Sequence, residues 1–184
     1  MEILYLAIVL GLLIWIVILL LPSRPYSTQE SIEIHSKESA NLAEVTALIP
    51  ARNEASTILR TLSALKFHDP KLKIILVDDQ SDDNTVELAN STEIENLTIL
   101  SGSELPSGWS GKLWALEQGR KYINTDYLLL LDADIILESG LIMKMLFEAK
   151  KNDTKLVSLM ARLRMISFWE KLLMPAFIFF FKLL

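Results

Sequence analysis

An open, mostly parallel α/β sheet with helices on both faces, preceded by one membrane-spanning helix, is the fold class this sequence predicts. Three observations carry it. From Val45 onward, short apolar runs alternate with stretches of helical periodicity. Each apolar run is nearly continuous, as expected of strands covered on both faces rather than half-exposed ones. The chain also opens on Ile3–Leu21, a run without a single charge.

At about 1.5 Å per residue, Ile3–Leu21 spans roughly 28 Å as a helix, close to the hydrocarbon thickness of a bilayer. A cleaved signal peptide fits poorly, because no Lys or Arg precedes the run and no small-x-small cleavage site follows it. Arg24 and Lys37 follow the run, whereas Glu2 is the only charged side chain before it. That bias places the bulk of the chain on the cytoplasmic side. Pro22 and Pro25 end the run, and Pro22–Glu44 is rich in Ser and Glu, which reads as a polar linker. His35 within it is read as solvated.

Val45–Ile49 is the first predicted strand, followed by the loop Pro50–Glu54. Ala55–Leu65 reads as a helix, with Ile58, Leu62 and Leu65 on one face. Ile74–Val77 is the second strand, followed by Asp78–Asn84 and a short helix from Thr85. Leu97–Leu100 is the third, and a loop rich in Gly, Ser and Pro leads to a helix over Lys112–Tyr122. Tyr127–Leu131 is the fourth, ending in Asp132-Ala133-Asp134. Ser139–Lys151 reads as a helix with Leu141, Ile142, Met145 and Leu146 on its apolar face, and Leu156–Met160 as a fifth strand. The expected organisation is an anchor over 3–21, a linker over 22–44, an α/β unit over 45–165 and an apolar, membrane-associated or truncated segment over 166–184.

Composition narrows the function. The chain has 184 residues, enough for one domain plus an anchor, and 51% are hydrophobic. The apolar excess sits in Ile3–Leu21 and Leu172–Leu184, so the middle is ordinary for a globular domain. A net charge of -5 argues against a nucleic-acid partner, which needs a concentrated basic surface. The absence of cysteine excludes disulfides, thiolate zinc sites and cysteine nucleophiles.

Polar clusters follow three of the apolar strands: Pro50–Glu54, Asp78–Asp83 and Asp132–Asp134. In an open parallel sheet the carboxyl ends of the strands share one edge, where ligands bind. Asp132 and Asp134 at a strand end suit a hard divalent ion, Mg²⁺ or Mn²⁺, shared with substrate phosphates; a helix cap or solvated turn is the plainer reading of the same pattern. In Asp78–Asp83, Ser81, Asp82 and Asp83 are assigned to capping the next helix, leaving Asp79 for a nucleobase or ribose. Arg52 suits a phosphate or an acidic neighbour, and Asn53 and Glu54 a ligand contact or the helix start. Gly108-Trp109-Ser110-Gly111-Lys112 carries a cation into a helix start, where Lys112 suits a diphosphate. It is not a P-loop, since Pro106 stands where the first Gly belongs and Leu113 follows the Lys. Trp109 and Trp114 are read as packing residues, with sugar platforms as the alternative.

In this order the segments resemble the family 2 glycosyltransferases, which share a GT-A fold. Ala47–Glu54 is similar to that family's first strand and nucleotide-contacting loop, which implies Pro50, Ala51, Arg52, Asn53 and Glu54 as donor contacts. Val77–Thr85 is similar to its V-D-D-x-S-x-D-x-T segment, which implies Asp79 at the base. Gly111–Gly119 resembles G-K-x-x-A-L-N-x-G, with Glu117 in place of Asn. Asp132-Ala133-Asp134 resembles the D-x-D, which implies Asp134 as metal ligand and Asp132, also a candidate ligand, facing a nucleotide-sugar. Gly108–Ala115 and Ser167–Leu173 also look like the hopanoid-associated glycosyltransferases, which implies a lipid-type acceptor at a membrane. The resemblance places the general base in a later acidic segment, expected beyond Leu184, and the chain is accordingly read as an N-terminal portion.

Two other readings are kept: a nucleotide-sugar-binding module without transfer activity, and a receiver- or phosphatase-like domain using Asp78 and Asp79. Arg162 and Arg164, with Lys171, are read as contacts to anionic headgroups or to an acceptor at the membrane surface, or as solvated charges.

Overall fold

The computed structural model describes residues 1–22, 41–66, 70–161 and 165–183. The linker residues Arg24, Pro25, His35 and Lys37, and the pair Arg162 and Arg164, lie outside the described residues. The chain divides into two compact units, one of Ile34–Leu159 and one of Met1–Glu33 with Met160–Leu184.

In the Ile34–Leu159 unit a single-turn 3-10 helix over Leu42–Glu44 leads into β1 (Val45–Ala51). Then follow α2 (Ile58–Lys66), β2 (Lys73–Asp78), α3 (Thr85–Asn90), β3 (Leu97–Ser101), α4 (Gly111–Arg120), β4 (Tyr127–Leu130) and α5 (Leu141–Lys151). The sheet order is β3-β2-β1-β4 and every pairing is parallel. β1 is central, with Leu48 opposite both Ile75 of β2 and Leu130 of β4. This register brings the carboxyl ends of β1, β2 and β4 to one edge.

Successive strand residues face opposite sides, and each side has its own cover. Val45, Ala47 and Ile49 of β1, with Ile74 and Leu76 of β2, pack against Ile58, Leu62 and Leu65 of α2, Ala89 of α3 and Ile142 and Leu146 of α5. Leu48, Ile75 and Val77 face the other way, toward Ala115 of α4. The predicted architecture, a parallel sheet sandwiched by helices, is the one observed.

The departures have local causes. α2 begins at Ile58 rather than Ala55: residues 55–57 form a turn closed on Glu54, whose carbonyl accepts from the Thr57 and Ile58 N–H groups at 3.0 and 2.9 Å. α5 begins after Gly140, whose φ of +83° breaks the preceding chain. No fifth strand forms over Leu156–Met160. Leu156 there is 83% exposed, and Asp153, at a left-handed φ of +48°, ends the turn after α5. An apolar run becomes a strand only when a sheet edge accepts its backbone groups, and no described edge does.

The other unit holds α1 (Glu2–Leu20) and α6 (Phe168–Leu183). α1 is long and apolar enough to cross a membrane, and none of its residues is buried. α6 opens on a capping box: the Ser167 and Ile166 N–H groups both donate to Glu170 Oε2 at 2.8 Å, and the Glu170 N–H donates to Ser167 Oγ at 3.2 Å. The Ser167 N–H, then that of Ile166, holds the Glu170 carboxyl below its ordinary range.

Candidate functional site

The loops after β1 and β2 are sewn together by reciprocal hydrogen bonds. The Asn53 N–H donates to Ser81 Oγ at 3.0 Å, and the Asp82 N–H donates to Asn53 Oδ1 at 2.8 Å. The Glu54 N–H donates to Thr85 Oγ1 at 2.8 Å and the Ala55 N–H to Asp83 Oδ2 at 3.0 Å. Asp83 also accepts from the Thr85 N–H and hydroxyl. The Thr85 hydroxyl first, and the backbone donors after it, lower the Asp83 pKa. Asp83 thus serves the helix start as expected, whereas Ser81 and Asp82 bind Asn53 instead of capping. Asn53 and Gln80, at φ of +57° and +59°, make the turns these bonds require.

A depressed carboxyl contributes stability that is fully present above its unfolded pKa of about 3.9 and fades as pH falls through the lower folded value. Asp83→Asn is therefore expected to lower the urea midpoint at pH 7 and to flatten its decline in acid. Parallel pH profiles of variant and parent would show the idea wrong.

Behind these loops lies an open cleft of about 400 Å³. The end of β1 contributes Pro50, Ala51, Arg52 and Glu54, and the end of β2 contributes Asp79. The start of α4 adds Gly111, Lys112 and Ala115, and the turn after β4 adds Asp132, Ala133 and Asp134. Residues from four parts of the sequence thus share one cavity. Of the predicted contacts, Asn53 does not line it; its amide oxygen is used by Asp82.

The Asp79 carboxylate is held in place by its surroundings. Its N–H donates to the Ala51 carbonyl at 2.8 Å, and its side chain is 10% exposed, with Arg52 Nη1 3.6 Å away. Among the described residues no hydrogen bond reaches that carboxylate, which leaves its acceptor sites for a ligand. Gly111 makes the room: a Cβ there would stand 2.8 Å from Asp79 Oδ2. Gly102, after β3, lets its backbone approach the end of β2, where a Cβ would meet the Asp78 carbonyl oxygen at 2.7 Å.

Lys112 Nζ donates to Asp132 Oδ1 at 2.7 Å, with both side chains more than half exposed. An ion pair this exposed is worth about 0–1 kcal/mol, so either member exchanges readily for a ligand. Ser110 supplies no side-chain cap to α4, so the first N–H groups of that helix stay available beside Lys112.

Asp132 and Asp134 are exposed on either side of Ala133, which is buried. The turn is pinned from below by Thr61 of α2, whose hydroxyl donates to the Ala133 carbonyl at 2.8 Å in the core. Sequence reasoning missed Thr61, since a Thr between Ile58 and Leu62 carries no signal of a partner so distant in the chain. Thr61→Val is expected to cost about 1–2 kcal/mol in denaturant unfolding, because it strands a buried carbonyl, and Thr61→Ser to recover most of it. Equal losses in both variants would point to packing instead.

The remaining predicted features lie off the cleft. Glu117 makes two hydrogen bonds to Arg120, at 2.7 and 2.9 Å, which lower its pKa. Trp109 and Trp114 meet edge to face at 5.3 Å, and Trp114 Nε1 donates to the Ser103 carbonyl. They pin the loop before α4, as packing residues do.

Residues 46–182 match the Glycosyl transferase family 2 domain. The chain is 36% identical over 138 residues to poly-beta-1,6-N-acetyl-D-glucosamine synthase of Staphylococcus aureus, covering 71% of this chain and 32% of that protein. It is 30% identical over 105 residues to 4,4'-diaponeurosporenoate glycosyltransferase of Staphylococcus haemolyticus, covering 56% of this chain and 27% of that one. The chain therefore spans about a third or less of the curated relatives it matches. Its fold is similar to that of part of S. aureus TarS, with a TM-score of 0.52 at 18% identity over 59% of this chain and 20% of that one. The sheet is of the GT-A type, and the chain belongs to glycosyl transferase family 2.

Proposed function

We propose that this chain is the donor-binding portion of a membrane-anchored glycosyltransferase that takes a nucleotide-diphospho-sugar with a divalent cation and passes the sugar to a lipid-type acceptor. One observation carries the reading. Arg52, Asp79, Lys112, Asp132 and Asp134 line a single cleft at the carboxyl edge of the sheet.

Each residue has a role its surroundings permit. Asp79, nearly buried and without a hydrogen bond to its carboxylate among the described residues, accepts from the N–H groups of the base or from a ribose hydroxyl. Arg52 neutralises Asp79 and faces the phosphates. Lys112 exchanges Asp132 for the diphosphate, next to the open N-terminus of α4. Among the described residues no cluster of three or more His, Cys, Asp or Glu side chains forms a metal cage. That donor set still fits Mg²⁺ or Mn²⁺, which are held by one or two carboxylates and complete their shell with water and phosphate. Asp134, with Asp132, would hold the ion, which when bound supplies positive charge against a departing diphosphate. What this chain does is bind, orient and neutralise the donor; the acceptor-activating base is assigned to none of its residues.

The hopanoid-type resemblance of Gly108–Ala115 and Ser167–Leu173 supports the lipid acceptor, and α1 supports the membrane location with the cleft on the cytoplasmic side. A module that binds donor without transferring it is the second reading. A phosphorylated site on Asp78 and Asp79 is disfavoured, because the Asp78 carboxylate accepts from the Ser81 N–H and Asp79 faces Arg52.

Calorimetric titration of the detergent-solubilised chain with a panel of nucleotide-sugars, before and after chelation, tests the proposal. At least one donor is expected to bind and to lose affinity on chelation; no binding by any of them would sink it. A transfer assay with lipid extracts in the same samples separates the enzyme from the binding module.

A further inference from the structure

The contact between α1 and α6 determines how deep α6 lies once α1 spans a bilayer. The rings of Trp15 and Phe179 are 5.5 Å apart and tilted by 38°, and Phe179 is buried. Trp15 stands about 7 Å inside the C-terminal end of α1, at about 1.5 Å per residue. A ring 5.5 Å from it is still within the hydrocarbon layer.

A helix lying flat on a membrane turns a polar face to water. α6 has no such face: Leu172–Phe181 contains no charged or hydrogen-bonding side chain. At about 100° per residue, Phe177 and Phe181 project opposite to Phe179. They stack on each other with centroids 6.3 Å apart and are 59% and 57% exposed. Leu172, Leu173 and Phe180, also exposed, take other directions. A flat orientation with Phe179 toward α1 would press Phe177 and Phe181 into the headgroups. Apart from Lys182 near its far end, the polar residues of α6 gather instead in its first turn, where Glu170 closes the capping box and Trp169 and Lys171 flank it. An aromatic residue beside charges is the composition of a membrane interface.

We propose that α6 enters the hydrocarbon layer beside α1, with its first turn at the headgroups and the Phe177–Phe181 face against lipid acyl chains. This rests on the reading of α1 as a membrane span.

The chain contains no cysteine, so single cysteines report cleanly. Phe177→Cys, Phe181→Cys, Leu10→Cys in α1 and Leu156→Cys in the other unit would be reconstituted in phosphatidylethanolamine–phosphatidylglycerol vesicles. A membrane-impermeant maleimide would be supplied on both sides. The first three are expected to label at least about tenfold more slowly than Leu156→Cys, since hydrocarbon excludes the hydrated reagent, and to label fully in denaturing detergent. Fast labelling at Phe177→Cys and Phe181→Cys with Leu10→Cys protected would overturn the insertion of α6 alone. Fast labelling at Leu10→Cys would overturn the anchor as well. A bimane at Phe177→Cys should be quenched more by a lipid with a nitroxide deep in its acyl chain than by a headgroup nitroxide; the reverse order contradicts the proposal.

Discussion

Asp79→Ala is expected to weaken donor binding roughly ten- to a hundredfold without lowering the unfolding midpoint. A hydrogen bond to a charged group is worth about 1.5–3 kcal/mol, and each 1.4 kcal/mol or so is tenfold in affinity. The second half of the prediction follows from burial. Asp79 is a nearly enclosed carboxylate whose one charged partner among the described residues, Arg52, sits at 3.6 Å and is mostly exposed. A charge kept out of water with so little compensation does not stabilise the fold; removing it relieves desolvation and leaves Arg52 to solvent. Titration with the best donor, paired with thermal unfolding, reads both halves. A variant that loses stability and affinity together would make Asp79 a structural residue.

Gly119→Val is expected to carry the largest loss of stability, about 3 kcal/mol, seen as a fall in melting temperature of roughly 10 °C. Gly119 lies in the last turn of α4, against the sheet. A Cβ there would stand 2.3 Å from Leu48 Cδ1 and 2.8 Å from Val77 Cγ2. Both side chains are fully buried and have nowhere to go, so α4 must lift from β1 and β2. Because the same helix carries Gly111 and Lys112 into the cleft, donor affinity should fall with stability. A melting temperature unchanged by this substitution would mean that α4 does not seat on the sheet through Gly119.

Both predictions depend on contacts that the sequence announces unequally. The convergence of Arg52, Asp79 and Asp134 was legible because parallel strands align their carboxyl ends, and the apolar runs at Val45, Ile74 and Tyr127 mark those strands plainly. Helices on both faces followed from the same runs, which leave no polar side to any central strand. The fifth strand was misread because Leu156–Met160 has the composition of a strand but no edge to pair with. The bond from the Asp82 N–H to Asn53 was not legible, because a loop amide looks the same whether it meets a ligand or a neighbouring N–H. The Thr61 bond to Ala133, the Lys112–Asp132 pair and the seat that Gly111 leaves for Asp79 are distances between residues far apart in the chain. Only the packing of α2 and α4 on the sheet sets them.

The measurement that bears most directly on the site is donor titration of Asp134→Ala against the parent chain, each with Mn²⁺ and after chelation. The parent should bind more tightly with the ion, and the variant should bind equally weakly in both conditions while melting at the parent's temperature. A variant that kept the full metal-dependent gain would place the cation elsewhere and end the assignment of the Asp132–Asp134 turn.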